Sequence, residues 1–407
     1  MDKERMKCLV QDSQAVSVRF PRIMIAAEKS GGGKTLLTCA LLSLLKERVQ
    51  AVRAFKCGPD YIDPMFHRTV LEIPSRNLDS FFADGDTLRY LLGREVLEME
   101  KFPESRIAVL EGVMGFYDGL GGVSERSSAW EVADLTDTPV ILLVDMMGRS
   151  LSALASIKGF LDYKEKSHVT GVVFNRLSPM LYPGLKERAE RELGIRVFGY
   201  VPELKDLTLK SRHLGLVMPE EILGIRERLD LIKEKVRVGI NLDGIIEEAG
   251  RAAEIEVKLP EAVRQFCNVD CGTGIKKTVV AVAKDEAFCF YYEDNLDLLK
   301  KLGAEIQYFS PIHDRNLPEG TCAVYLGGGY PELHAKALSE NISMRNAIRQ
   351  AVMEEVPCIA ECGGYLYLKD SIVDPDGVEW PMAGVLPGSS RDTGKLGRFG
   401  YITVTSK

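Results

Sequence analysis

The strongest indication of the fold comes from the stretch Ile23-Met24-Ile25-Ala26-Ala27-Glu28-Lys29-Ser30-Gly31-Gly32-Gly33-Lys34-Thr35. Its first five residues form a continuous apolar run, which is typical of a strand buried on both faces. Glycines follow, and residues 34–47 then repeat apolar side chains with the period of a helix. A strand, a glycine-rich loop and a helix in this order predict a phosphate-binding loop.

The residues of this loop predict a nucleotide site. Backbone N–H groups of Gly31, Gly32 and Gly33 can surround phosphate oxygens, because glycine lets the chain curl around them. Lys34 can reach the β- and γ-phosphates, and the Thr35 hydroxyl can hold Mg²⁺. The alternative is a glycine-rich turn that binds nothing, and the flanking strand and helix argue against it.

One position departs from the usual pattern. A phosphate-binding loop generally has glycine five residues before its last glycine, and this chain has Glu28 there. The departure matches a variant in which a lysine precedes the glycine run, and Lys29 stands in that place. We therefore keep the prediction of nucleotide binding.

The alternation of strands and helices continues in two series. The first series predicts strands at 23–27, 52–57, 107–111, 140–145, 169–175 and 197–201. The second predicts strands at 278–283, 304–309, 321–326, 356–360 and 400–404. Continuous apolar strands between helices predict doubly wound parallel sheets, so the fold class is α/β.

Four segments follow from this pattern. Residues 1–21 form an N-terminal tail, and residues 22–204 form a domain built around the phosphate loop. Residues 205–276 are charge-dense helices, at 220–236 and 242–254, followed by a linker at 268–277 that contains Gly272 and Gly274. Residues 277–407 form the second α/β domain.

The composition argues against nucleic acid and membrane as binding partners. The 407 residues carry 52 Lys and Arg against 59 Asp and Glu, a net charge of −7, which argues against a surface built for nucleic acid or anionic membrane. No apolar run approaches the roughly 18 residues of a membrane helix, and residues 1–22 lack the apolar stretch of a signal peptide. Nine cysteines without paired spacing indicate reduced thiols. We expect a cytoplasmic protein.

Polar side chains follow the predicted strands at the edge where α/β sheets bind ligands. Glu111 ends the strand 107–111, where a carboxylate can hold Mg²⁺; the alternative is a solvated loop acid. Asp60 and Asp63 follow the strand 52–57, and on spacing alone ordinary turn formation is favoured for them. Asn175 ends the strand 169–175 and either reads an adenine edge or caps a turn.

The second domain contains a candidate nucleophile. Cys362 lies in the run Glu361-Cys362-Gly363-Gly364, which predicts a strand, a sharp turn and a helix start that expose a thiol. The alternative is a small buried cysteine. The loop 327–332 contains Gly328 and Gly329, whose N–H groups can bind an oxyanion.

A thiolate nucleophile also needs a base, which is normally histidine. None of the five histidines follows Cys362 in the sequence. His334 is the nearest to the loop 327–332, and we expect it at a solvated helix position. Cys267 and Cys271 lack the spacing of a four-ligand zinc site and are interpreted as structural.

Together these motifs resemble the cobyrinic acid a,c-diamide synthase family, glutamine-dependent amidases of cobalamin biosynthesis. The matching stretches are 30–35, 56–63, 111–119, 327–332 and 361–364, in the family's order and in both domains. The resemblance implies an N-terminal domain similar to dethiobiotin synthetase, which binds ATP, Mg²⁺ and the tetrapyrrole. It also implies a C-terminal class I glutamine amidotransferase domain, which releases ammonia from L-glutamine.

The resemblance implies a reaction and a role for each matching residue. ATP phosphorylates the a and c acetate carboxylates of the macrocycle, and ammonia displaces phosphate to leave amides. Lys34 then stabilises the transferring phosphoryl group, Thr35 and Glu111 hold Mg²⁺, and Asp118 positions the reacting carboxylate. Cys362 forms a glutamyl thioester beside Gly328 and Gly329. The residues expected to line the tetrapyrrole are Asp60, Tyr61, Ile62 and Asp63.

Two features depart from the family pattern. Lys29 is similar to a lysine of partitioning-type ATPases that crosses a dimer interface, so a homodimer is one expectation. The chain stops at Lys407, whereas relatives continue and carry the catalytic histidine there, so the sequence resembles a truncated member that uses glutamine poorly but can still use free ammonia.

Two alternatives stay open. The related enzyme that amidates nickel-sirohydrochlorin shares the fold and the motifs. A P-loop ATPase switch without biosynthetic activity is the alternative from another class, although the acidic motif at Asp60 and Asp63 is unnecessary for it.

Overall fold

The computed structural model describes residues 15–99, 102, 105–204, 219–261, 264, 278–393, 400–403 and 405. The start of the predicted tail, the predicted linker and the stretch 394–399 lie outside these residues, as do Cys267 and Cys271. The chain divides into two compact units. The first is drawn from Met1–Ser211, Met218–Arg264 and Gly400–Lys407, and the second from Arg212–Val217 and Gln265–Phe399. The domain boundaries given above stay predictions.

A parallel sheet of seven strands forms the centre of the first unit. Strands are numbered along the chain, and the sheet order is β4-β3-β5-β2-β6-β7-β8. Their bounds are β2 Arg22–Ala27, β3 Ala51–Cys57, β4 Ser75–Leu78, β5 Arg106–Glu111, β6 Val140–Asp145, β7 Val169–Asn175 and β8 Arg196–Val201. The predicted doubly wound sheet is confirmed. The sequence pattern missed β4, because its short Ser-Arg-Asn-Leu run is too polar to suggest a strand.

Helices cover this sheet and bury its strands. They are α1 Lys34–Lys46, α2 Ile62–Thr69, α3 Gly85–Glu98, α4 Ala129–Leu135, α5 Ser152–Asp162, α6 Tyr182–Leu193, α7 Pro219–Gly239 and α8 Leu242–Gly250. Every residue of β2 and β6 is buried, as expected for central strands with helices on both faces. Within the described ranges, no helix is both long enough and apolar enough to cross a membrane.

The helices after the sheet pack on the first unit. Arg237 at the end of α7 pairs with Glu47 after α1 at 2.7 Å, and Ile240 forms a bridge with Gly199 of β8. The second predicted helix ends at Gly250, earlier than expected. The chain then forms β9, Ile255–Val257, which pairs antiparallel with β1, Val16–Val18. Three-residue strands are too short for periodicity to reveal.

The second unit contains a parallel sheet of four strands in the order β11-β10-β12-β13. A second sheet has the order β15-β14-β16 and was missed by the sequence pattern. The strand bounds are β10 Thr278–Ala283, β11 Ala304–Phe309, β12 Thr321–Leu326, β13 Cys358–Ala360, β14 Lys369–Val373, β15 Glu379–Pro381 and β16 Leu386–Ser390. The helices are α9 Glu293–Lys301, α10 Ala335–Glu340, α11 Ile342–Met353 and α12 Gly363–Tyr367.

The predicted strand at 400–404 is wrong for its described residues. Residues 400–403 form no strand in the structure. Gly400 has a φ of 125°, a conformation open to glycine that interrupts the extended path a strand needs.

A buried arginine gives a test of the first unit. Arg22 is fully buried and donates to the carbonyl oxygens of Thr136 and Asp137 at 2.9 and 3.0 Å. Arg22→Met leaves both acceptors without their donor, so we expect the free energy of unfolding to fall by about 2–4 kcal/mol. Urea unfolding measures it, followed by tryptophan fluorescence in a Trp380→Phe background so that Trp130 alone reports on the first unit.

The control is Arg191→Met, because Arg191 is an exposed residue of α6 that pairs with Glu187. We expect that change to cost about 0.5 kcal/mol or less. Equal losses for the two variants would contradict the role given to Arg22.

Candidate functional site

The phosphate loop joins β2 to α1. Gly33, at its end, has a φ of 95°, which favours glycine. A Cβ at this position would lie 2.5 Å from Nδ2 of Asn175, so a larger residue would collide with that amide. Gly31 is exposed and Gly32 is buried. The loop therefore has the compact backbone that the sequence pattern predicts.

Asn175 holds the loop from the end of β7. Its Nδ2 donates to the carbonyl oxygen of Gly32 at 2.8 Å, and its Oδ1 accepts from the N–H of Arg176 at 3.0 Å. The structure thus brings Asn175 to the predicted site through the loop backbone. Its expected contact with adenine stays a prediction.

Lys34 connects the phosphate loop to the loop after β5. Its buried ammonium donates to the carbonyl oxygens of Met114 and Lys29, the latter at 3.3 Å. Burial, and then the nearby charge of Lys56, lower the pKa of Lys34 to about 8. The ammonium lies where two loops of the same sheet edge meet.

Side chains from the start of α1, the start of α2 and the end of β5 meet beside Lys34. The Thr35 hydroxyl donates to Oε1 of Glu111 at 2.7 Å and lies 3.3 Å from Oδ2 of Asp63. Glu111 is fully buried, and this burial raises its pKa to about 7. The structure therefore brings together Thr35, Glu111 and Asp63, which lie far apart in the sequence.

Lys56 lies between the two acids, and we assigned it no role from the sequence. Its Nζ is 2.6 Å from Oδ2 of Asp63 and 2.9 Å from Oε1 of Glu111. Although burial opposes the charge, the carboxylates of Glu111 and Asp63 raise the pKa of Lys56. Burial likewise opposes the charge of Asp63, but the ammonium of Lys56 lowers the pKa of that acid. The sequence signal was its place in the motif 56–63, one residue before the end of β3.

Asp60 shapes the loop that carries the predicted substrate residues. Its Oδ1 accepts from the N–H groups of Ile62 and Asp63 at 2.8 and 3.1 Å, which is the turn-forming role open to an aspartate. Nδ2 of Asn77 donates to the carbonyl oxygen of Asp60 at 2.6 Å and braces the same loop. Tyr61 and Ile62 are partly exposed beside it. Their contact with a substrate stays a prediction.

Asp118 lies in the loop after β5, apart from the buried cluster. Its side chain is exposed, and Oδ2 accepts from the N–H of Gly115 at 3.0 Å. This hydrogen bond orients the carboxylate without burying it. Asp118 is therefore accessible to a ligand at the edge of the sheet.

The two unusual loop residues, Glu28 and Lys29, contact the region from β6 to α5 of the same chain. Nζ of Lys29 lies 3.1 Å from Oδ2 of Asp145. Glu28 accepts from Arg149 at 2.8 Å and from the hydroxyl of Ser156 at 2.6 Å. These contacts hold the start of the phosphate loop where glycine is absent.

The donor set of this site fits Mg²⁺. The described residues contain no cluster of three or more His, Cys, Asp or Glu side chains arranged for a metal. Mg²⁺, however, commonly takes one or two carboxylates and completes its shell with phosphates and water. Thr35 and Glu111 supply oxygens, and Oε2 of Glu111 is buried with no hydrogen-bond partner among the described residues.

In the second unit, Cys362 forms the predicted elbow between β13 and α12. Its φ of 47° and ψ of −110° are an uncommon conformation for a residue with a Cβ. The N–H of Gly364 donates to the carbonyl oxygens of Gly327 and Glu361 at 2.9 and 2.8 Å, which holds the turn. The thiol is exposed, so the alternative of a small buried cysteine does not apply.

One backbone N–H group, that of Gly329, lies beside this elbow. The carbonyl oxygen of Gly328 accepts from the N–H groups of Cys289 and Phe290, both at 3.0 Å. Because C=O and N–H point in opposite directions in a trans peptide, the N–H of Gly329 points away from those donors. Its nitrogen lies 3.2 Å from where a Cβ on Gly363 would be, so it lies beside the elbow.

The expectation of a solvated His334 is wrong. This residue ends a short 3-10 helix and is partly buried, and its Nε2 has no hydrogen-bond partner among the described residues. Burial lowers the pKa of His334. The expected helix position next to the loop 327–332 gave no signal of this packing.

Comparisons with known proteins match both units. Residues 23–217 match the family described as CobQ/CobB/MinD/ParA nucleotide binding domain, and residues 279–404 match the CobB/CobQ-like glutamine amidotransferase domain. A cobyrinate a,c-diamide synthase of Priestia megaterium is 36% identical over 95% of this chain and 81% of its own length. The synthase of Thermoplasma volcanium is 38% identical over 96% and 82%, and that of Listeria innocua 39% over 93% and 81%.

The buried cluster generates a stability prediction. Lys56→Met removes the cation between Asp63 and Glu111, so we expect the free energy of unfolding to fall by about 3 kcal/mol. The loss should be larger at alkaline than at mildly acidic pH. In the variant, Asp63 and Glu111 are buried without a cation, so their pKa values rise and the folded state loses stability as they ionise. Urea unfolding at the two pH values measures both effects.

Lys46→Met provides the control, since Lys46 forms an exposed pair with Glu72. We expect it to cost at most about 1 kcal/mol, with little change between the two pH values. The role given to Lys56 is refuted if its variant matches this control.

The elbow generates a prediction for thiol reactivity. Iodoacetamide should modify the exposed Cys362 at least about 10-fold faster than the buried Cys39 and Cys57, because alkylation needs an accessible thiolate. Burial raises the pKa of Cys57 to about 12, which slows it further. Peptide mass spectrometry of the native chain measures each rate, with the exposed Cys322 as an internal standard. Modification of Cys362 as slow as that of Cys57 would contradict the exposed elbow.

Proposed function

The chain belongs to the cobyrinate a,c-diamide synthase family, and we propose that it amidates the a and c acetate carboxylates of cobyrinic acid, using ATP and a nitrogen taken from glutamine or ammonia. Membership of this family makes the chain a carbon–nitrogen ligase with a nucleotide-binding domain and a glutamine amidotransferase domain. The observation that carries the proposal is the meeting of Thr35, Glu111 and Lys56 beside the phosphate loop.

The chemistry requires a phosphate site and a nitrogen source. A carboxylate is a poor acyl donor, so one of its oxygens first attacks the γ-phosphorus of ATP, and ADP leaves. Ammonia then attacks the acyl carbon, loses a proton and expels phosphate, which leaves the amide. Each acetate consumes one ATP, so the two amidations repeat the same sequence of bonds.

Residues of the phosphate loop bind the triphosphate in this proposal. The N–H groups of Gly31 to Gly33 contact its oxygens, and the ammonium of Lys34 stabilises the charge of the transferring phosphoryl group. Thr35 and Glu111 would hold Mg²⁺, which neutralises phosphate charge when bound. Asn175, whose Nδ2 donates to the carbonyl oxygen of Gly32 in this loop, also contacts the adenine in this proposal.

Residues after β3 and β5 bind the macrocycle in this proposal. Tyr61 and Ile62 are partly exposed at the edge of the sheet. Asp60 holds the turn that carries them, because its Oδ1 accepts from the N–H groups of Ile62 and Asp63. The side chain of Asp63 belongs to the buried cluster. Asp118 is exposed on the neighbouring loop, where it would help to position the reacting carboxylate. These placements support one site for ATP and tetrapyrrole.

The second unit supplies ammonia in this proposal. The thiolate of Cys362 attacks the amide carbon of glutamine, and the N–H groups of Gly328 and Gly329 stabilise the oxyanion. The nitrogen of the resulting tetrahedral intermediate takes a proton from water and leaves as ammonia. A second water then hydrolyses the thioester to glutamate and regenerates the thiol of Cys362. Free ammonia needs no glutamine hydrolysis, so ammonium is the nitrogen source that tests the first unit independently of Cys362.

We expect Lys34→Met to lower ammonium-dependent amidation of cobyrinic acid by about 10²-fold or more, because the transition state loses a charged donor. Cys362→Ala should leave the ammonium-dependent rate unchanged and abolish any glutamine-dependent rate. Mass spectrometry of the amide products and assay of ADP release measure both.

Lys158→Met is the control, since Lys158 is an exposed residue of α5, and it should retain full activity. Amidation of nickel-sirohydrochlorin but not of cobyrinic acid would identify the nickel enzyme instead. ATP-dependent self-association without amidation of either substrate would favour the P-loop switch.

A further inference from the structure

Two buried atoms of the first unit face each other without hydrogen bonds. Nε2 of His67 lies 3.7 Å from Oε2 of Glu111, and neither atom has a hydrogen-bond partner among the described residues. Both residues are fully buried. Leaving a buried polar atom unpaired costs about 1–3 kcal/mol, so two of them at one place call for a physical reason.

The other ring nitrogen of His67 is held in place. Nδ1 lies 3.1 Å from the hydroxyl oxygen of Ser75, and both side chains are buried. His67 is on α2 and Ser75 begins β4, so the contact fixes the ring between two elements. When the hydroxyl donates to Nδ1, the hydrogen of the neutral ring is on Nε2.

The position of Glu111 favours this arrangement. The ammonium of Lys56, 2.9 Å from Oε1, favours the ionised form of Glu111. An ionised carboxylate only accepts hydrogen bonds, so a lone pair of Nε2 directed at Oε2 would be repelled. An N–H on Nε2 presents its positive end to Oε2 instead. Meanwhile Oε1 of the same carboxylate is held by Thr35 and Lys56 at 2.7 and 2.9 Å.

We propose that His67 is a positioning residue for Glu111, which orients the carboxylate toward the divalent cation of a bound nucleotide. The proposal rests on the nucleotide site proposed above. Thr35 and Lys56 fix one oxygen of Glu111, and the N–H of His67, set by Ser75, orients the other. Groups that orient a metal-binding carboxylate typically affect the affinity for the metal ion. They affect the binding of a nucleotide without its metal ion less.

Three substitutions separate positioning from simple packing. His67→Gln keeps an amide N–H near the place of Nε2, whereas His67→Asn keeps one near Nδ1, within reach of Ser75 but not of Glu111. His67→Leu fills the space without any donor. If His67 only fills space, the Gln and Asn variants should bind the metal ion with the same affinity. If His67 positions Glu111, the Gln variant should bind it more tightly than the Asn variant.

The experiment measures binding of Mn²⁺ to the full chain by electron paramagnetic resonance, with β,γ-imido-ATP present. We expect His67→Asn and His67→Leu to raise the dissociation constant of Mn²⁺ by about 10-fold, and His67→Gln by less than about 3-fold. Binding of β,γ-imido-ATP in EDTA should stay unchanged in all three variants. The matched control is His168→Asn, because His168 pairs with Asp134 at 2.8 Å outside the buried cluster, and it should leave the Mn²⁺ constant unchanged.

Equal Mn²⁺ constants for the Gln and Asn variants would overturn the proposal, as would wild-type affinity in His67→Asn. If His67→Leu does not fold, the Mn²⁺ constants of the His67→Gln and His67→Asn variants still separate positioning from packing. The assay contains no tetrapyrrole, so a failure of the amidation proposed above would not change the Mn²⁺ constants or the role of His67. Absence of Mn²⁺ binding by the wild-type chain with β,γ-imido-ATP would instead overturn the nucleotide site itself, and the role of His67 with it.

Discussion

A buried ammonium lies where the loops of the nucleotide-binding unit meet. Lys56 and Glu111 are paired in register on the neighbouring strands β3 and β5, so their side chains project from the same face of the sheet. Asp63, from the first turn of α2, completes the cluster at 2.6 Å from the ammonium. Two ionised carboxylates buried this close together would be costly without a cation, because each is desolvated and they repel each other. The arrangement of the loops after β2, β3 and β5 therefore depends on this ammonium.

The same cluster lies at the edge of the sheet where we propose that phosphoryl transfer occurs. Parallel strands deliver their carboxyl ends to one side, so the phosphate loop, the loop 58–63 and the loop after Glu111 necessarily converge there. Asn175 from β7 and Asn77 from β4 then brace two of these loops through backbone carbonyl groups. The charged groups are thus oriented by neighbouring strands, which leaves Tyr61, Ile62 and Asp118 accessible to a substrate.

Sequence reasoning located the features of each unit that depend on local order. The glycines of the phosphate loop, Glu111 and the elbow at Cys362 each follow a strand whose apolar run is visible in the sequence. It missed Lys56 and His67, because a lysine near a strand end and a histidine in a short helix are ordinarily solvated or packed without function. Their importance comes from Glu111, which is 55 residues from Lys56 along the chain and is brought to it only by the register of β3 and β5.

From its order of residues alone, the chain specified an α/β fold with a phosphate loop in one part and an exposed thiol in the other. These features are local, since each depends on a strand, a turn and a helix that are contiguous in the sequence. Short elements such as β1, β4 and β9, and the partial burial of His334, were set by contacts between distant segments. The charges and tautomers of the buried cluster were also decided by the tertiary structure. They depend on desolvation and on the distances between ionised groups, which are set only once the sheet has assembled.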